Sequence, residues 1–285
     1  MNDFKIIEDE AYRKIFHNGY QQIAKEDSIA PATEPLLSLI VPIYNEEEHL
    51  PQFLELLDVL DVGIKKELVF VDDKSKDNSL SIIQNFPFKS KVIIKEQNLN
   101  QGKGAAIQKG LELANGTIIG VQDADFEYRM SDISMLLKPL VNDECDVVYG
   151  SRYKKNAAQV HRTYHYLINR LLTTLSNLLS GLYLTDMETC YKFFKADVIK
   201  NIEITSNRFG FEPEVTAKIA RLKVRIFEFP ISYHPRNYEE GKKITWKDGI
   251  AAFFHITRFN LFSKKESDYR LTLPKKYIPT SKQLL

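Results

Sequence analysis

From residue 37 onward, short apolar runs rich in β-branched residues alternate with longer stretches whose apolar positions recur every three to four residues. The runs at 37–42, 67–71, 91–95, 117–122 and 146–149 predict strands, and the stretches at 50–60, 80–85, 105–114 and 132–141 predict the helices between them. Strands alternating with helices predict a parallel, doubly wound α/β sheet that binds ligands at the carboxyl ends of its strands. Two later segments predict amphipathic helices. In 164–184 the apolar residues fall at 164, 167, 168, 171, 172, 175, 178, 179 and 182, with Asn169, Arg170, Thr173, Thr174, Ser176 and Asn177 on the other face. The segment 246–262 is a second such helix, rich in aromatics. Each has three candidate partners: the core, a second copy of the chain in a homodimer, or a membrane interface. Lys154, Lys155 and Arg162 precede the first helix and suit anionic lipid.

The ends are less regular. Residues 1–36 predict a helical extension closed by a proline-bearing linker, and 263–285 a polar tail with no assigned role. The expected division is an extension at 1–36, a catalytic domain at 37–245, and a C-terminal amphipathic helix and tail at 246–285.

Composition narrows the classes. The 285 residues are 44% hydrophobic and 27% charged, which is ordinary for a globular chain. A formal net charge of +1 offers no global field for nucleic acid, so none is expected as a partner. Two cysteines, Cys145 and Cys190, are too few for a disulfide scaffold and fit a reducing cytoplasm. The acidic N-terminus lacks the apolar core of a signal peptide, and no window is apolar enough to span a bilayer. A soluble protein, or one peripheral to the cytoplasmic face of a membrane, is expected.

Candidate chemistry gathers at the predicted strand ends. The apolar run 118–121 stops at Gln122, and Asp123, Asp125 and Glu127 follow at alternate positions. Carboxylates held that close repel one another unless a cation lies between them. Hard divalent ions, Mg²⁺ or Mn²⁺, take such oxygen ligands and bridge to phosphates. Asp72 and Asp73 end another strand, where Ser75, Asp77 and Ser79 can form an Asx turn and a helix cap. Gly102-Lys103-Gly104 precedes a helix, so free N–H groups and the positive end of the dipole would face an anion. The Walker spacing is missing there.

Five ordered stretches carry a resemblance: Val41-Pro-Ile-Tyr-Asn-Glu46, Val71-Asp-Asp-Lys-Ser-Lys-Asp-Asn-Ser79, Asn100-Gln-Gly-Lys-Gly104, Gln122-Asp-Ala-Asp125 and Gly150-Ser-Arg152. Together, over roughly 37–260, they resemble the family 2 glycosyltransferases of GT-A fold, and among them the dolichol-phosphate mannose or polyprenyl-phosphate sugar synthases. The resemblance implies a GT-A type, Rossmann-like, doubly wound mixed sheet with added helices. It implies an inverting transferase with a UDP- or GDP-sugar donor. The acceptor is polyprenyl phosphate or, alternatively, a glycan hydroxyl in cell-surface polysaccharide synthesis.

It also implies roles. Pro42, Tyr44, Glu46 and Asp73 would line the nucleotide, and Lys103 would lie near it. Asp123 and Asp125 would hold Mg²⁺ or Mn²⁺, with Glu127 a candidate third ligand although the family often differs there. Arg152 would fork onto a phosphate. Asp186 and Glu188 match an element on the acceptor side, usually written with Gly where Cys190 stands. Glu212 would face the donor sugar or serve as a first-turn acid. Arg236 would start a mobile basic loop closing over the diphosphate.

Overall fold

The computed structural model describes residues 34–154, 163–235, 246–263 and 267–279. Residues 1–33 of the expected extension at 1–36, Lys155, Arg162 and Arg236 lie outside the described residues.

Seven strands form one sheet: β1 (Leu36–Ile43), β2 (Lys65–Asp72), β3 (Lys91–Glu96), β4 (Ile118–Val121), β5 (Val147–Ser151), β6 (Lys192–Lys195) and β7 (Ile226–Pro230). Their spatial order is β3-β2-β1-β4-β6-β5-β7. The first four are parallel, as the alternation predicts, with Pro42 opposite Val71 and Ile40 opposite Val121. Leu37, Leu39, Ile40 and Val41 of β1 and Leu68, Val69, Phe70 and Val71 of β2 are buried, and they read as continuous apolar runs because central parallel strands are covered on both faces.

The helices are α1 (Leu50–Val59), α2 (Ser79–Asn85), α3 (Lys103–Leu113), α4 (Ile133–Val141), α5 (Thr163–Ser180), α6 (Ala196–Ile199), α7 (Phe211–Ile219) and α8 (Trp246–Thr257). Helix α3 packs on β1 and β2, and α4 on β5 and β6. Helix α8 packs against α5 and α7.

Two findings go beyond the predicted alternation. Strand β6 is antiparallel to β4 and β5, with Tyr149 opposite Lys192. It therefore starts at the edge where the parallel strands end, and the segment 186–191 before it lands at that edge. The residues after α8 are also tied down rather than trailing. Asp268 binds Lys218 and Arg221, Tyr269 bridges to Ile202, and the Tyr277 hydroxyl donates to Asp197.

Candidate active site

The acid loop follows β4. Gln122 is buried; its Oε1 accepts the Tyr191 hydroxyl at 2.6 Å and its Nε2 donates to the Asp123 carbonyl at 2.7 Å. That side chain pins the turn in which Asp123 and Asp125 lie half-buried. Asp125 Oδ1 accepts the Glu127 N–H at 3.1 Å, and Phe126 between them takes a left-handed φ of 58°. Glu127 turns toward the segment after β7: its Oε2 accepts the Tyr233 hydroxyl at 3.1 Å and its carbonyl accepts the His234 N–H at 2.8 Å. The expected three-acid ligand set is thus not gathered. Among the described residues no three His, Cys, Asp or Glu side chains converge as metal ligands. Asp123 and Asp125 still present hard oxygen donors, and Mg²⁺ is commonly held by one or two carboxylates with substrate phosphates completing its shell. The donor chemistry fits such an ion.

Lys103 joins this loop. Its Nζ lies 2.9 Å from Asp123 Oδ2 and 3.3 Å from Glu212 Oε1. Burial alone would lower its pKa, but Asp123 and Glu212 hold it well above the usual lysine value. The turn around it departs from the expected anion cradle. The Gln101 and Gly102 N–H groups donate to Asp73 at 2.8 and 2.6 Å, and the Ala105 N–H donates to the Asn207 carbonyl at 3.0 Å. The N–H groups of Gln101, Gly102 and Ala105 are therefore taken from within the chain. Its glycines serve a close approach instead. Gly102 sits at φ +102°, and a Cβ there would lie 2.7 Å from the Asn207 carbonyl oxygen. A Cβ on Gly104 would lie 2.1 Å from the Ser206 carbonyl oxygen.

The strand-end pair Asp72 and Asp73 divides its work. Asp73 accepts from Gln97 Nε2 and from the two turn N–H groups, so both its oxygens are engaged. Burial raises its pKa against the lowering effect of those N–H bonds. Asp72 Oδ2 accepts the Ser75 N–H at 3.0 Å, whereas its buried Oδ1 has no hydrogen-bond partner among the described residues. Nearby, Tyr44 and Glu46 are half-buried in the turn after β1. That turn is stitched to 75–79: the Asn45 N–H donates to Ser75 Oγ, the Glu46 N–H to Ser79 Oγ, and the Glu47 N–H to Asp77. Asp77 also accepts the Ser79 N–H, an Asx turn just ahead of the helix, whose N-cap Asn78 makes no side-chain cap bond.

On the other flank, Arg152 and Asp186 form a two-pronged pair. Arg152 Nε donates to Asp186 Oδ2 at 2.7 Å and a terminal guanidinium nitrogen to Oδ1 at 2.8 Å. Asp186 is fully buried, also accepts the Arg152 N–H, and has its own N–H held by Glu228. Asp186, an acid that could act as base for a hydroxyl acceptor, instead orients a guanidinium, and the Arg152 fork expected on a phosphate is turned onto this carboxylate. Burial would lower the Arg152 pKa, but Asp186 holds it well above the ordinary arginine value. The guanidinium lies over the rings of Tyr153 and Tyr233, 5.5 and 5.2 Å from their centroids. Glu188 stands apart from these pairs. Its buried Oε1 has no hydrogen-bond partner among the described residues. Burial, and next the neighbouring Glu212, push its pKa up to about 7. Lys192 is wholly buried and holds the segment by donating to the Met187 and Thr189 carbonyls.

Several contributors escaped the sequence. Gln97, Tyr233 and Glu228 were given no role, and each acts on a residue that was, while Lys192 closes the element that begins at Asp186 and was given no role either. For Lys192 a signal existed: a lysine inside the apolar run Cys190-Tyr-Lys-Phe-Phe194 implies a buried cation with partners.

Comparison with known proteins places the chain. Its sequence matches the profile of Glycosyl transferase family 2 over residues 38–203. It is 30% identical to a dolichyl-phosphate beta-glucosyltransferase of Trichomonas vaginalis over 83% of this chain and 75% of that one. It is 27% identical to a dodecaprenyl-phosphate galacturonate synthase of Rhizobium johnstonii, over 77% of this chain and 64% of that protein. In fold it is similar to glucosyl-3-phosphoglycerate synthase from Mycobacterium tuberculosis, solved with Mn²⁺, UDP and phosphoglyceric acid. The TM-score is 0.60 and the identity 17%, over 88% of each chain. The mixed sheet with its added helices is the GT-A arrangement of that neighbour. With the profile matched from the first strand through the segment after β6, and the acid loop and Arg152 inside the match, the chain belongs to glycosyl transferase family 2.

Proposed function

We propose that this glycosyltransferase moves a sugar from a nucleotide-diphosphate sugar to polyprenyl phosphate, with inversion at the anomeric carbon. The nucleotide lies over the ends of β1 and β2. Asp72, with its unpartnered buried Oδ1, is a better acceptor for a base or ribose donor than Asp73, whose oxygens already hold the turn before α3. Asp123 and Asp125 hold a divalent ion, Mg²⁺ or Mn²⁺. When bound, the ion neutralises charge on the departing diphosphate. Lys103, beside Asp123, adds a fixed positive charge at the same place. Arg236, from outside the described residues, remains the candidate for closing over the diphosphate.

The observation that carries the acceptor assignment is the Arg152–Asp186 pair. Asp186, one of the two acids that could serve a hydroxyl acceptor as base, is buried and bidentate on a guanidinium, which argues against proton removal by it. A phosphate monoester is already anionic at neutral pH, with a second pKa near 6, and attacks without a general base. The dolichyl- and dodecaprenyl-phosphate enzymes among the relatives support the same acceptor class.

A lipid acceptor also gives the amphipathic helices an occupant. Leu167, Leu171 and Leu178 of α5 are exposed, as are Ile250, Phe253 and Phe254 of α8, while Thr173 and Ser176 from the nominally polar face of α5 are buried. Among the described residues no helix is long and apolar enough to cross a membrane. The two outward stripes fit a protein lying on a bilayer surface.

One observation favours a hydroxyl acceptor instead. A half-buried Glu188 with a pKa of about 7 is suited to general-base work. The test is transfer from a labelled donor to a short polyprenyl phosphate. With polyprenyl phosphate, Glu188→Gln is expected to keep turnover within roughly tenfold of the parent, below the ~10²–10⁴-fold typical of general-base assistance. Arg152→Ala is expected to lose more. The reverse order, with a Glu188→Gln rate proportional to hydroxide, would establish the hydroxyl acceptor.

A further inference from the structure

The carboxyl edge carries more acid than its cations neutralise. Asp123 and Glu212 share one cation, Lys103, at 2.9 and 3.3 Å. Asp186 takes the Arg152 fork. The Lys192 ammonium donates to two backbone carbonyls. Together with Glu188 this makes four carboxyls beside three cations, of which Lys103 and Arg152 are paired with carboxylates and Lys192 with neutral carbonyls.

Glu188 is the acid left over. Its Oε1 is buried without a hydrogen-bond partner among the described residues, as is the hydroxyl of Thr189, a fully buried residue next in the chain. Buried polar atoms in a native protein are almost always hydrogen-bonded, to protein, ordered water or ligand, so the unpartnered Glu188 oxygen at this edge marks a place for a polar group. Sugar hydroxyls both donate and accept, so they suit such a carboxyl. Glu212 fixes where that partner lies: it belongs to the first turn of α7 and touches the lysine that touches Asp123, so it adjoins the diphosphate end of the donor site. Burial and Glu212 also raise the Glu188 pKa to about 7, so near neutrality the carboxyl exists in both donating and accepting forms.

We propose that Glu188 and Glu212 form the sugar-reading wall of the donor site, and that this wall selects a neutral hexose over a hexuronate. A hexuronate would bring a further carboxylate against these acids, and like charges brought together in a desolvated site weaken binding. This selectivity rests on the nucleotide-sugar reading above, and it separates this chain from any relative that transfers a uronic acid.

The test is equilibrium binding by calorimetry with the full chain and MgCl₂. The ligands are UDP, then UDP-glucose against UDP-glucuronate, and UDP-galactose against UDP-galacturonate, with the GDP, GDP-mannose and GDP-mannuronate set in parallel. For the nucleotide that binds, the neutral sugar is expected to bind at least tenfold more tightly than its uronate, about 1.4 kcal/mol. Glu188→Gln, checked for folding by its circular dichroism, is expected to shrink that ratio to about threefold or less. Equal or tighter uronate binding by the parent chain would overturn the proposal without needing any variant. An undiminished ratio in Glu188→Gln would remove Glu188 from the wall. If neither UDP nor GDP bound, the donor assignment itself would fall and the selectivity with it, an outcome distinct from a uronate that binds as well as the hexose.

Discussion

Glu212 and Glu214 stand two residues apart at the start of α7 and do different things. Glu214 is fully buried, accepts from the Thr205 and Ser206 N–H groups and the Thr205 hydroxyl, and pairs with Lys218. It holds the loop that packs on Gly102 and Gly104. Glu212 instead reaches Lys103 in the active site. The same sorting separates Asp186 from Glu188, and it yields two predictions. Asp186→Ala leaves the Arg152 guanidinium buried without its partner, which costs about 3–5 kcal/mol when a buried pair is broken. Urea unfolding should show that loss, and the Arg152→Ala, Asp186→Ala double variant should be far less destabilised than the sum of the singles. A sum that simply adds would mean the two side chains do not act together. The second prediction concerns pH. Glu188 ordinarily titrates at 4.5 and is raised to about 7 in the folded chain. Its contribution to stability is therefore fully present below about pH 4.5 and is lost as pH rises through about 7. The urea midpoint should fall across that window, and Glu188→Gln should flatten the fall. A midpoint with the same pH slope in both proteins would contradict the raised pKa.

At the scale of elements, the start of α3 gives its glycine motif a packing role besides the expected one. The glycines admit the 206–208 backbone, and the Gln101, Gly102 and Ala105 N–H groups are taken by Asp73 and Asn207. Gly104→Ala should therefore destabilise the fold by about 1–3 kcal/mol through overpacking, with or without nucleotide. A variant of unchanged stability but weakened UDP or GDP affinity would restore the anion-cradle account. Strands β1, β2 and β4 were legible because parallel strands covered on both faces leave continuous apolar runs in the sequence, and the edge strand β3 by its run Val92-Ile-Ile94. Strands β6 and β7 were not, for polar residues interrupt them. β6 carries the buried Lys192 and the half-buried Lys195, and β7 alternates around Glu228. Missing β6 also hid why the segment 186–191 reaches the catalytic edge. In the site, the residue types were legible and their pairings were not. Nothing in the spacing of Arg152 and Asp186, 34 residues apart, announces that they bind each other, or that Glu127 would be claimed by Tyr233.

For the molecule as a whole, the helices predicted as amphipathic turn part of their apolar surface outward. On α5, Leu167, Leu171 and Leu178 fall within about 40° of one another at 100° per residue. Leu178 is 78% exposed and Phe254 on α8 is 65% exposed. The chain should sediment with anionic liposomes at low salt and be released in part by high salt, which screens its lysines. The Leu171→Ser, Leu178→Ser, Phe254→Ser variant should remain in the supernatant and stay folded, since exposed apolar side chains add little to the core. A parent chain that stays in the supernatant and runs as a dimer would assign those stripes to a second copy. The assignment that joins the acid loop, the Arg152–Asp186 pair and these helices is transfer to a lipid phosphate. Its most direct test is incubation of the purified chain with Mg²⁺ or Mn²⁺, a panel of UDP- and GDP-sugars and a short polyprenyl phosphate, followed by mass spectrometry of the organic phase. The expected result is a polyprenyl-phosphate sugar formed from one donor, β-linked from an α donor, dependent on added polyprenyl phosphate, and abolished by EDTA or by Asp125→Ala. Full turnover of that donor by Asp125→Ala, or sugar appearing only on a glycan hydroxyl while the polyprenyl phosphate is recovered unmodified, would contradict it.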